Sequence, residues 1–233
     1  MPVKKANNFS FGLSFESAMA RSYNIEDGNT ENQIDETLVK KLKLVIDKSN
    51  IKTIIPRLVS HEGSKNGPVD FIAKLPDKTQ IDLSIKTNNS TSDKVAPQTI
   101  GQCTKDKFLE YFSIEEDYSD DDIKEYIEIW IEYLILEYFV HTFKSNMIYY
   151  NQKRKIFKFI KVRGDLHLDD TKISFTHIEK NKKWNESTTV KYNGLAIGEF
   201  QIHKKRNCIK FRFNIINLIK LFPTAFDVFD ITL

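Results

Sequence analysis

The run Gln80-Ile81-Asp82-Leu83-Ser84-Ile85-Lys86 alternates apolar and polar side chains without a break. Successive side chains of a strand point to opposite faces, so Ile81, Leu83 and Ile85 share one face and Asp82, Ser84 and Lys86 the other. A second apolar run, Phe71-Ile72-Ala73, is entered through Gly67-Pro68-Val69-Asp70, and Leu75-Pro76-Asp77-Lys78 forms a turn between the two. The segment reads as a β-hairpin with an acid at the start of one strand and a lysine at the end of the other. These two ends are neighbours in an antiparallel pair, which places Asp70 beside Ser84 and Lys86.

The rest of the chain falls into two regimes. Before residue 150 helical spacing dominates. Phe11 to Ser22 reads as a helix with Phe11, Phe15, Ala18 and Met19 on one side and Glu16 and Arg21 as its notable polar residues. Gln33 to Lys48 carries Ile34, Leu38, Leu42, Val45 and Ile46 at amphipathic spacing, and Asp122 to Phe143 carries the strongest such stripe. Pro97 suits a first helical turn, which would set Gln98 and Gln102 on one face. From Ile156 onward the pattern becomes extended: 156–162, 171–178, 188–192, 195–203 and 208–213 alternate, with Asn193-Gly194 a strong hairpin signal and Asn214 to Leu221 a closing helix. The expected class is α/β or α+β, one domain over 1–233, with helices and the hairpin in 1–150 and a β-rich basic part in 151–233.

Three polar side chains in line on one strand face, ending in lysine beside an acid, are unusual for a face made only for solubility. They suit metal-dependent phosphodiester hydrolysis, which requires a hard cation held by one or two carboxylates, waters and phosphate. The cation polarises the phosphate and lowers the pKa of a bound water. A lysine beside it orients or deprotonates that water, or neutralises the transition state. Asp70 is the ligand in this reading and Lys86 the assisting group, while Ser84 stands where a carboxylate is more common. The plainer reading is a surface hairpin with ordinary polar residues.

Composition narrows the classes. The hydrophobic content is 40%, with 17 Phe and 9 Tyr, which excludes a disordered chain. Cys103 and Cys208 lie far apart, against a disulfide framework or a cysteine-rich zinc site. The first residues lack an apolar signal core and no stretch reaches a membrane span, so a prokaryotic cytoplasmic setting is expected, with no membrane partner. The net charge is only +3, but acidic residues gather in 114–137 and basic ones in 152–161 and 180–212. Such segregation lets one face meet a polyanion.

The hairpin from Gly67 to Lys86 resembles that of the PD-(D/E)XK nucleases. Thr87-Asn88-Asn89 with Pro97-Gln98-Thr99-Ile100-Gly101-Gln102, and the late run Gly198 to Phe213, are similar to small type II restriction endonucleases. The resemblance implies a central mixed β-sheet flanked by helices, Mg²⁺ dependence, and cleavage of both strands of a short specific site in double-stranded DNA, leaving 5′-phosphate ends. Asp70 matches the first acid of the motif, Lys86 its lysine, and Ser84 the second acid position, a departure from the pattern. The missing carboxylate is then Asp82 on the same strand face, or Glu16 on the first helix. A DNA methyltransferase is expected in the same system, not as a physical partner. A symmetric homodimer and a monomer acting on one strand at a time both stay open.

Asn and Gln pair with adenine, and Arg and Lys with guanine or phosphate. Asn88, Asn89, Gln98 and Gln102 follow the catalytic hairpin. Lys191, Asn193, Gln201, His203, Lys204, Lys205 and Arg206 populate the late hairpins. All are candidate DNA contacts, set against the reading of solvated lysines and a turn asparagine. His61 and His141 read as structural. Two alternatives stand beside a restriction endonuclease: a repair or structure-specific nuclease of the same fold, and a non-enzymatic DNA-binding module.

Overall fold

The computed structural model describes residues 8–29, 34–63, 69–97, 100–115, 117–203 and 207–232. Gly67, Pro68, Gln98, Lys204, Lys205 and Arg206 lie outside the described residues. The chain passes through helices α1 (Asn8–Ser22), α2 (Glu36–Lys48) and the single turn α3 (Ile51–Ile54), then strands β1 (Arg57–His61), β2 (Phe71–Lys74), β3 (Gln80–Asn88), β4 (Lys94–Val95) and β5 (Gln102–Cys103). Helices α4 (Lys105–Tyr111), α5 (Asp120–Ile129) and α6 (Ile131–Thr142) precede β6 (Asn146–Asn151), β7 (Ile156–Val162) and β8 (Ile173–Phe175). The one-turn α7 (Thr176–Glu179), β9 (Ser187–Tyr192), β10 (Leu195–Ile202), β11 (Ile209–Asn214), α8 (Ile215–Leu221) and β12 (Phe226–Asp230) complete it. Two compact units result, one from the described residues of 1–92, 145–162 and 226–233, the other from those of 93–144 and 163–225.

The first unit is built on a sheet with six strands among the described residues, in the order β1-β2-β3-β6-β7-β12. Only β3 and β6 run parallel; the other neighbours are antiparallel. The sheet is therefore mixed, as expected, with β3 inside it. Helix α1 covers it with the residues that helical spacing singles out: Phe11, Phe15, Ala18 and Met19 are fully buried. Phe15 stacks on Tyr150 of β6 at 4.9 Å and meets Phe157 of β7 edge-on at 5.8 Å. Burying each phenyl ring contributes roughly 2 kcal/mol. Helix α2 starts at Asp35, whose carboxylate accepts from the Thr37 and Leu38 amides at 3.0 and 3.1 Å, and it buries Val39, Leu42 and Ile46 in the same core.

The second unit has its own antiparallel sheet, β4-β11-β10-β9-β8, with β5 also on β11. Tyr138 of α6 is buried against it, stacked on Phe211 at 4.4 Å. Asn193 and Gly194 both take positive φ, 49° and 76°, the two-residue turn that matches strand twist.

Three local expectations are corrected. The helix expected over 122–143 is two: Trp130 ends α5 and starts α6 at φ −104° and ψ 23°. Buried Ile127, Ile131, Leu134 and Tyr138 keep helical spacing across the break, so periodicity does not reveal it. The strand expected over 171–178 gives way at Thr176 to α7. No helix forms from Pro97 among the described residues, because β4 and β5 both pair with β11 and the Gly101 carbonyl accepts from the Phe211 amide at 3.0 Å. Among the described residues no helix is long and apolar enough to cross a membrane.

Candidate active site

Asp70 immediately precedes β2 and is 9% exposed. Its backbone is fixed from both sides: the amide donates to the Leu83 carbonyl at 3.0 Å, and the carbonyl accepts from Glu62 and Gly63 at 2.8 and 3.2 Å. Its carboxylate Oδ2 accepts the Ile85 amide of β3 at 2.5 Å. The pairing of Phe71 with Leu83 thus sets the acid beside the end of β3, where antiparallel geometry places it.

Helix α1 brings a second carboxylate. Glu16 is 12% exposed, with Oε2 3.5 Å from Nε2 of His61 at the end of β1. A β-carbon placed on Gly63 would lie 3.0 Å from Glu16 Oε2, 3.1 Å from His61 Nε2 and 3.5 Å from Asp70 Oδ1. Polar atoms from a helix, a strand end and the hairpin therefore border one small space, which glycine leaves open.

The charges act on one another. Burial, and then the Glu16 carboxylate, push the Asp70 carboxyl up to about 6, against weaker pulls from Lys86, the Ile85 amide and His61. Burial holds Lys86 below the ordinary lysine range, although Asp70 and Glu16 both favour its protonated form. An acid pushed up and a base pushed down by one desolvated cluster is the pattern that proton-transfer chemistry uses.

Asp82, the other candidate for the second acid, is exposed on β3 opposite Ile72. The side-chain charges that act most on Asp70 come from Glu16 and Lys86. Ser84 is buried at 1% exposure, its hydroxyl donating to the Asn146 carbonyl at 3.4 Å. Among the described residues no group of three or more His, Cys, Asp or Glu side chains forms a ready metal cage. Two carboxylates suit magnesium nonetheless, since it is held by one or two carboxylates and retains several waters. Glu16 Oε2 and Asp70 Oδ1 bordering the Gly63 space match that donor set.

The candidate DNA contacts are placed as follows. Asn88 is buried. Its amide nitrogen donates to the Ser92 carbonyl at 2.8 Å, and its oxygen accepts from the Ser90 amide and hydroxyl at 2.9 and 2.7 Å. Both ends of this side chain fold the loop. Asn89 is half-buried. In the second unit, Gln102 is exposed opposite Lys210, and Asn193 is exposed in its turn. Lys191 is ion-paired with Glu179, and His203 Nδ1 lies 3.5 Å from Glu186. Gln201 bonds Glu199, which also pairs with Lys94 and, at 2.8 Å, with Arg212. His61, read from the sequence as structural, and Gly63, not singled out there, both lie at the site. No local pattern marks them, because their importance arises from contact with α1.

The chain is 45% identical over 146 residues, 63% of its length, to the type II restriction enzyme CviAII of Paramecium bursaria Chlorella virus 1, and the match spans 43% of that relative. No protein-family model matches the chain, and no solved structure matches it.

Proposed function

We propose that the protein is a type II restriction endonuclease that hydrolyses phosphodiester bonds in both strands of a short specific site in double-stranded DNA, with Mg²⁺, leaving 5′-phosphate ends. The observation that carries this reading is the cluster of Glu16, Asp70 and Lys86, in which the acid is pushed up and the base down. The similarity to a protein named as a type II restriction enzyme supports it.

Asp70 and Glu16 are the residues that hold the cation in this reading, and Glu16 takes the place of the acid that Ser84 replaces. A magnesium ion held by these two carboxylates would supply polarisation of the scissile phosphate and acidification of a water. Asp70 keeps one oxygen on the Ile85 amide, which fixes the direction of the carboxylate. Lys86, desolvated and lowered, receives the proton of the attacking water, then as an ammonium offsets charge developing on the phosphate. Asn88, Asn89, Gln98, Gln102, Lys191, Asn193, Gln201, His203, Lys204, Lys205 and Arg206 stay as candidate DNA contacts, with recognition assigned to the β-rich basic part over 151–233.

The test is incubation of plasmid or phage DNA with the purified protein and Mg²⁺. Discrete fragments with 5′-phosphate ends support the reading. Retained DNA binding with no cutting under any divalent metal would overturn it and leave a DNA-binding module.

A further inference from the structure

His61 stands apart from the expected machinery yet faces it. Its side chain is 1% exposed, and its ring stacks on Phe71 with centroids 4.5 Å apart and planes within 13°. Nδ1 accepts a hydrogen bond from the Gly28 amide at 3.0 Å. A nitrogen that accepts carries no proton, so in the neutral ring the proton sits on Nε2. That atom is buried without a hydrogen-bond partner, and its neighbour is Glu16 Oε2 at 3.5 Å. A neutral imidazole whose Nδ1 accepts cannot also offer a lone pair at Nε2, so this histidine is a donor and not a metal ligand.

The loop that sets the tautomer is tied to the helix that carries Glu16. Asp27 accepts from Ser17 Oγ at 3.1 Å and from Arg21 Nε at 3.3 Å, both on α1, and from the Asn29 amide at 3.1 Å. The Asn29 side chain returns to the Leu13 carbonyl and to Ser17 Oγ at 3.2 and 3.1 Å. Helix, loop and histidine thus close a ring of contacts that ends at Glu16.

We propose that His61 is a positioning residue: its Nε2–H, held in that tautomer by the Gly28 amide, faces Glu16 Oε2 at 3.5 Å and by this charge–dipole attraction holds the carboxylate beside Asp70 in the orientation that receives the cation. The N–H dipole offsets the repulsion between the two acids and keeps the Glu16 carboxylate turned to the space beside Gly63. This rests on the nuclease reading for the identity of the cation, not for the histidine geometry. Groups that orient metal ligands typically alter metal affinity or activity by about 10–100-fold when lost.

The test has two parts. Ring ¹⁵N NMR of the metal-free protein should show His61 protonated at Nε2; protonation at Nδ1 alone would overturn the proposal without any variant. His61→Asn, which lacks a donor at the Nε2 position, should weaken Mn²⁺ binding measured by calorimetry about tenfold or more. It should raise the Mg²⁺ concentration needed for half-maximal cutting by a similar factor, with a smaller effect on the KM for DNA. His61→Gln, whose amide nitrogen reaches that position, should recover most of the affinity. Wild-type Mn²⁺ affinity in folded His61→Asn, or equal losses in both variants, would refute the role. If the wild type binds Mn²⁺ through this device yet cuts no DNA, the nuclease reading fails and the positioning role stands.

Discussion

Replacing Asp70 by Asn should stabilise the metal-free protein at pH 8 while abolishing its cutting. The Asp70 carboxyl lies at about 6 in the folded protein against an ordinary value of 3.8. At 1.36 kcal/mol for each tenfold change, keeping it ionised in the folded state costs about 3 kcal/mol at most. The sign follows from proton counting. Below the unfolded value both states are protonated and the cost is absent. As pH rises the folded state binds more protons than the unfolded, so stability falls until the folded value near 6 is passed, and the cost is then constant. At pH 5 roughly half of it should be present. Asparagine keeps an acceptor for the Ile85 amide and removes the charge. With a urea slope of about 2 kcal/mol per molar, the midpoint of the first unit should rise by roughly 1 to 1.5 M at pH 8 and by about half that at pH 5. Circular dichroism is the appropriate signal, because Trp130 and Trp184 both belong to the other unit. Adding Mg²⁺ should raise the midpoint of the wild type and not that of the variant. A variant less stable than wild type at pH 8, or a gain equal at both pH values, would refute the electrostatic account.

Four further outcomes are expected. Glu16→Gln should lower cutting about 100-fold or more, and exposed Asp82→Asn should leave it within about threefold; the reverse order in a plasmid assay would return the second acid to β3. Lys86→Arg should lose about 10²–10⁴ in rate while binding DNA normally in Ca²⁺, since a guanidinium does not give up its proton at any working pH; full activity would exclude proton transfer by Lys86. Gly63→Ala forces a carbon to 3.0 Å from Glu16 Oε2 and 3.1 Å from His61 Nε2, so cutting should fall at least about tenfold with the circular dichroism spectrum unchanged. In the second unit, Lys94 and Arg212 together hold the Glu199 carboxyl below its usual range against burial. Glu199→Gln should destabilise that unit by about 1–2 kcal/mol, read by tryptophan fluorescence at pH 8. The difference should shrink as pH falls, because a depressed carboxyl loses its stabilising effect once protonated.

What could be read without the structure was local. The hairpin from Asp70 to Lys86 needs only a period of two and a turn, and both are written in consecutive residues. Phe11, Phe15, Ala18 and Met19 declare the buried side of α1 by spacing alone, and Asn193-Gly194 declares its turn because those residues tolerate positive φ. What the sequence could not decide depends on which element packs on which. Asp82 shares the Lys86 side of its strand, yet the carboxylate that acts on Asp70 comes from α1, far away in the chain, because the phenyl rings of that helix pack on β6 and β7. Asn88 looks like any exposed polar residue until its amide is found closing the loop after β3. His61 and Gly63 carry no pattern: a histidine becomes a donor, and a glycine becomes necessary, only when a loop and a helix meet them. Alternation fixes the acid and the lysine because strand geometry is a property of neighbours in sequence. Which carboxylate stands beside Asp70 was settled by tertiary packing, which joins residues that no periodicity connects.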